Sequence, residues 1–154
     1  MRDFKIALAQ INVPQKNSVA ENLARMEPRV RKAAESGANL VMFGELSVTG
    51  YLLDSAGLRT AGAESSDNDA RGTANARTGG KAPSSEHYRR AEPVPGPSTK
   101  KVEELALKYG VFIAAGMGDF QAGVVYNAFF LVGPGGYVGK QRKLHLPDPE
   151  YRYY

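Results

Sequence analysis

The chain has 154 residues, 42% of them hydrophobic, with 20 Lys and Arg against 16 Asp and Glu. That length and composition fit one globular domain and exclude a wholly disordered chain, a collagen and a coiled coil. The net charge of +4 is scattered among acidic neighbours rather than gathered in a basic stripe, which argues against nucleic acid, and the absence of cysteine excludes a disulfide scaffold, a zinc–thiolate site and a thiol nucleophile from these residues.

The first residues, MRDFK, lead directly into a short apolar run, with no long hydrophobic segment of a signal peptide. No apolar stretch approaches the ~18 residues a membrane span needs. The expectation is a cytoplasmic chain with no membrane partner.

Residues 4–10 (FKIALAQ) read as a buried strand, broken by Asn12-Val13-Pro14. Ser18 and Glu21 then form a capping box, with Asn17 as an alternative cap. Val19, Leu23, Met26, Val30 and Ala33/Ala34 recur at helical spacing, and Gly37 is a natural stop. Pro28 lies inside this helix and is expected to kink or split it, because it has no N–H to donate. Residues 39–43 (NLVMF) form a second buried strand, so the segment to this point is a βαβ unit with a parallel strand pair.

Residues 59–90 are rich in Ala, Gly, Ser, Thr, Asn and Arg and poor in large apolar groups, which predicts a mobile polar insertion. A helix follows, capped by Ser98 or Thr99, running to Tyr109 and stopped by Gly110. Residues 111–115 (VFIAA) are a third strand, 124–132 (VVYNAFFLV) a fourth and 137–143 a fifth. Pro134-Gly135-Gly136 joins the last two as an antiparallel hairpin. Ile6, Leu8, Val41, Phe43, Ile113, Phe129 and Leu131 belong to nearly continuous apolar runs, the pattern of strands covered on both faces.

Glu45 is the first candidate for chemistry. It follows the second strand directly, and open α/β sheets place ligand sites at the carboxyl ends of strands. An acid flanked there by apolar residues is expected to hold its proton tightly and could act as a general base. A capping or salt-bridged acid is the plainer alternative. Lys143 ends the fifth strand, where an ammonium could meet a developing oxyanion; a solvated edge lysine is its alternative. Glu150 lies beside aromatic residues and could line a pocket, or be an ordinary surface acid. His145 is a possible neighbour of a site, more in keeping with a hydrogen-bonded structural role. His87 and His145, far apart and without H-x-x-x-H spacing, give no case for a metal. Residues 134–141 (PGGYVGKQ) fail as a phosphate loop, since Pro134 and Gln141 stand where Gly and Ser or Thr are needed.

Taken in order, these segments resemble the carbon–nitrogen hydrolase (nitrilase) superfamily. The resemblance rests on residues 6–10 (IALAQ), 39–51 (NLVMFGELSVTGY), 93–99 (PVPGPST), 111–117 (VFIAAGM), Tyr126-Asn127-Ala128 with Gly135-Gly136, and 142–147 (RKLHLP). It covers nearly the whole chain except 59–90. Gly44 stands where the family usually has proline.

The resemblance implies an α/β fold, the family's α-β-β-α sandwich, of which this single domain would supply roughly the N-terminal half. It implies a Glu-Lys-Cys triad with Glu45 as general base and Lys143 as the cation that stabilises the tetrahedral intermediate. The cysteine would lie beyond residue 154. Glu150 falls near a second active-site glutamate of many members. The implied substrate is a small amide, N-carbamoyl compound or nitrile, hydrolysed without a cofactor, by a protein that is a homo-oligomer when full length. A chain without cysteine is expected to be inactive alone, and a degenerate member that only binds a small molecule or a subunit is the alternative.

Overall fold

The computed structural model describes residues 3–14, 17–51, 86–147, Glu150 and Tyr154. Five strands and three helices alternate along them: β1 (Ile6–Ala9), α1 (Val19–Glu35), β2 (Leu40–Phe43), α2 (Glu86–Arg90), α3 (Pro97–Tyr109), β3 (Phe112–Gln121), β4 (Val124–Gly133) and β5 (Gly136–Arg142). The strands form one mixed sheet in the order β1-β2-β3-β4-β5. β1, β2 and β3 are mutually parallel, and β3, β4 and β5 form an antiparallel meander.

The expected capping box is present: the Glu21 amide donates to Ser18 Oγ, and Glu21 accepts from the Ser18 backbone N–H at 2.6 Å. Pro28 does not split α1, which continues to Glu35. Pro28 and Ala24 both lie on the exposed side, where water can satisfy the carbonyl that Pro28 leaves without a donor. α3 begins earlier than the Ser98/Thr99 reading. Gly96 is its N-cap, with Pro97 in the first turn. The capping acceptor comes from outside the helix, because Glu92 takes both the Ser98 N–H (2.8 Å) and the Ser98 hydroxyl (2.7 Å).

β3 runs six residues past Ala115, through Gly116 and Gly118. β4 and β5 pair as the expected hairpin. Residues 86–90, expected to belong to the polar insertion, form α2 instead, with His87 buried. The remainder of that insertion lies outside the described residues.

The helices α1 and α3 cover one face of the sheet. Leu23, Met26 and Val30 of α1 and Val102 and Ala106 of α3 pack against Val41, Phe43, Ile113, Ala115, Met117, Phe130 and Val132. Among the described residues the apolar strands are covered on one face only, as expected if this chain supplies one layer of a sandwich whose second layer lies outside it. Val41, Phe43 and Ile113 are buried on the helix side, but Ile6 and Leu8 are 50% and 82% exposed on the opposite side, and Phe129 and Leu131 are only partly buried there. Among the described residues, no helix is long and apolar enough to cross a membrane.

Candidate functional site

Two antiparallel reversals make β5 run in the same direction as β2. Glu45, just past the end of β2, and Lys143, just past the end of β5, therefore leave the sheet at the same end. Lys143 is held there by its own N–H, which donates to the Asn127 carbonyl of β4 at 2.8 Å.

Glu45 opens a turn that is bolted to the rest of the fold. The Val48 N–H donates to the Gly116 carbonyl at 3.0 Å, and the Gly118 N–H donates to Thr49 Oγ1 at 3.1 Å. From the other side, buried Asn22 of α1 donates to the Val48 carbonyl at 3.1 Å. Leu46 sits at φ 50°, a left-handed conformation unusual for a branched residue, and its side chain is buried. Gly116 is required beneath this turn: a Cβ there would lie 2.4 Å from the Leu46 nitrogen and 2.9 Å from Glu45 Cα. Glycine in the middle of β3 is thus the condition for Glu45 to approach the sheet.

The side chains converge. Lys143 Nζ donates to Glu45 Oε1 at 2.7 Å and to Glu150 Oε1 and Oε2 at 3.1 and 3.0 Å. Asn127 Nδ2 donates to Glu45 Oε1 at 2.6 Å and reaches Glu150 Oε2 at 3.5 Å. The Tyr51 hydroxyl donates to Glu150 Oε1 at 2.5 Å. Glu150 is 1% exposed, whereas the Glu45 and Lys143 side chains are 42% and 32% exposed. Glu45 therefore sits in a polar, ion-paired setting rather than the apolar one its neighbours in sequence suggest.

Burial pushes the Glu150 carboxyl up, but the hydrogen bonds from Tyr51 and Lys143 outweigh it and hold it below the ordinary carboxylate value. The hydrogen bond to Glu45 keeps the Lys143 ammonium above the usual lysine range, against the opposing pull of burial. The Tyr51 phenol is pushed up to about 12 by burial and by its bond to Glu150. Tyr154, whose hydroxyl lies 2.9 Å from Nδ1 of buried His87, is also pushed up, by burial first and then by the charges of Glu150, Tyr51 and Glu45. Both phenols are protonated at neutral pH.

Glu45, Lys143 and Glu150 are thus brought into one cluster. His145 is not: it is exposed and makes no hydrogen bond or ion pair among the described residues. Asn127 and Tyr51 complete the cluster without standing out by residue type. The one sequence signal for Tyr51 is its place six residues after Glu45.

The cluster is a carboxylate–ammonium–carboxylate group at the strand ends of a mixed α/β sheet. The chain belongs to the carbon-nitrogen hydrolase family, whose sequence model matches residues 5–153. It is 29% identical over 143 residues to a nitrilase of Pyrococcus abyssi, covering 92% of this chain and 44% of that protein. It is 30% identical over 150 residues to the omega-amidase NIT2 of Mus musculus, covering 96% of this chain and 42% of that protein. The chain therefore spans less than half the length of these curated relatives.

The fold is shared with a carbon-nitrogen hydrolase from Helicobacter pylori at a TM-score of 0.64 and 17% identity, over 98% of this chain and 44% of that one. A glutamine-dependent NAD+ synthetase from Acinetobacter baumannii matches at a TM-score of 0.67 and 23% identity, over 100% of this chain and 24% of that one. The sheet and its two covering helices thus correspond to part of the family's α-β-β-α sandwich.

Proposed function

We propose that this chain supplies the general base and the cationic stabiliser of a hydrolase acting on non-peptide carbon–nitrogen bonds, with a cysteine nucleophile from outside residues 1–154. The observation that supports it most directly is the 2.7 Å contact between Lys143 and Glu45, two residues 98 positions apart.

The chemistry follows from how the groups are occupied. An amide or nitrile carbon is a weak electrophile, and a free thiol with a pKa of ~8.5 is mostly protonated at neutral pH. Glu45 Oε1 is engaged by Lys143 and Asn127, while Oε2 makes no hydrogen bond to any described residue. Oε2 is the oxygen free to take the thiol proton as sulfur attacks carbon. Lys143 spends its protons on two carboxylates. One of its two contacts to Glu150 can be given up to the oxyanion, or to the nitrile nitrogen, as negative charge develops. With an amide, the same Glu45 proton passes to the departing nitrogen, leaving a thioester that water hydrolyses to the acid.

The test is to isolate the native protein, weigh it, and assay ammonia release from aliphatic amides, ω-amides, N-carbamoyl compounds and nitriles. A polypeptide longer than 154 residues that carries a cysteine and hydrolyses one of these classes is expected. Glu45→Gln and Lys143→Met should each lower kcat by about 10²–10⁴-fold. Turnover indifferent to Glu45→Gln would remove the reading.

The absence of cysteine from the chain favours one second reading, a binding module that holds a small amide without reaction. It expects saturable amide binding by the purified 154-residue chain with no ammonia released, and Glu45-dependent turnover by that chain contradicts it.

A further inference from the structure

We propose that Tyr51 is a positioning residue of this cluster: its phenol fixes the Glu150 carboxylate and, through Glu150, holds the Lys143 ammonium in place beside Glu45. Calling the cluster catalytic rests on the function proposed above; the positioning itself rests on geometry. Glu150 is the most deeply buried member, and a buried carboxylate is stable only if its oxygens are satisfied. Oε1 accepts from the Tyr51 hydroxyl and from Lys143, and Oε2 from Lys143 and Asn127. Among the described residues, Tyr51 is the one donor to Glu150 that does not also serve Glu45.

The placement of Tyr51 gives it leverage. It follows Gly50, whose N–H donates to the Leu46 carbonyl at 2.7 Å and whose φ of 91° suits glycine. The phenol therefore extends from the same tied turn that carries Glu45, and it meets Glu150 across 99 positions of sequence. One rigid turn thereby presents the base and clamps the second carboxylate. The clamp divides the labour between two acids: Glu150, with both oxygens engaged, stays ionised at neutral pH, and Glu45, whose Oε2 makes no hydrogen bond to a described residue, is left as the proton acceptor of the pair. A proton on Glu150 would leave Lys143 one anion instead of two and turn it toward Glu45 alone.

The test uses the whole 154-residue chain labelled with ¹³C at glutamate side chains, titrated by NMR, with Glu150→Gln identifying the Glu150 signal. In Tyr51→Phe the carboxyl midpoint of Glu150 should shift upward, with backbone shifts away from the cluster retained and the thermal midpoint at neutral pH lowered in step with that shift. An unmoved Glu150 midpoint in the folded variant overturns the proposal. Should Tyr51→Phe fail to fold, 3-fluorotyrosine placed at position 51 keeps the ring and the hydroxyl and makes the phenol a stronger donor. It should shift the Glu150 midpoint downward, and no downward shift likewise overturns the proposal. Neither readout depends on turnover, so a moved midpoint in a protein that hydrolyses nothing would sink the function while leaving the clamp standing.

Discussion

Lys143 stands between two carboxylates, and its loss would leave both without a cation among the described residues. Glu45 and Glu150 already share one amide donor in Asn127, so removing the ammonium also exposes them to mutual repulsion. Breaking a fully buried pair costs about 3–5 kcal/mol; with Lys143 partly exposed, Lys143→Met should cost about 1–3 kcal/mol at neutral pH. The pH dependence follows from the directions of the two shifts. Glu150 is held below its ordinary value, so its contribution is complete above the ordinary carboxylate range and is lost as pH falls through its folded value. Lys143 is held above its ordinary value, so its contribution is complete below the ordinary lysine range and is lost as pH rises through its folded value. Urea melts from mild acid to alkaline pH should show a plateau for the wild type. In Lys143→Met the deficit should shrink as acid protonates Glu150, and a deficit constant across pH would contradict this account.

Among the elements, the 45–50 turn and β3 form the joint on which the site depends. Gly116→Ala would drive a Cβ into the backbone of Glu45 and Leu46, where no flexible side chain can yield. A cost of about 1–3 kcal/mol is expected, together with loss of the Glu45–Lys143 contact. Gly139→Ala in β5 is the control: nothing lies within 4 Å of its added methyl, and it should be close to neutral. Thermal melts and a crystal structure of each variant check both outcomes.

This joint also explains what could and could not be read from the sequence. The capping box, the βαβ unit and the closing hairpin were legible because each is specified locally. β3 reads as ending at Ala115 because Gly116 and Gly118 resemble strand breakers, yet Gly116 is there to admit the turn. The cap of α3 is not legible in the local sequence because its acceptor, Glu92, comes from outside the helix. Glu45 and Lys143 were visible as candidates from their positions after strands. The Tyr51–Glu150 bond was not, because it joins residues that only the complete fold brings together.

At the scale of the whole molecule, the face of the sheet that no described helix covers governs behaviour in solution. Ile6, Leu8 and Phe112 are exposed there, flanked by partly exposed Leu40, Met42, Phe129 and Leu131. Each 100 Å² of such surface withdrawn from water is worth about 2.5 kcal/mol. The purified 154-residue chain should therefore self-associate and bind an apolar dye, and Leu8→Lys should weaken both. Sedimentation decides the matter: a monodisperse monomer without exposed apolar surface would show that this face is tolerated in water.

The strictly sequential order of the strands also has a kinetic meaning. β3, β4 and β5 are neighbours in both chain and space, so their pairing closes only short loops, whereas β2 must join β3 across the whole segment from Phe43 to Phe112. Short closures cost less entropy and form sooner. The meander, carrying Asn127 and delivering Lys143, is the early piece; the turn with Glu45 and Tyr51 arrives with the late one. The cluster is then a marker of completed folding: in pulse-labelled hydrogen exchange, amides of β3–β5 should gain protection before those of β1 and β2, and the reverse order would refute it. A refolding intermediate would hold its lysine in place with no base yet beside it.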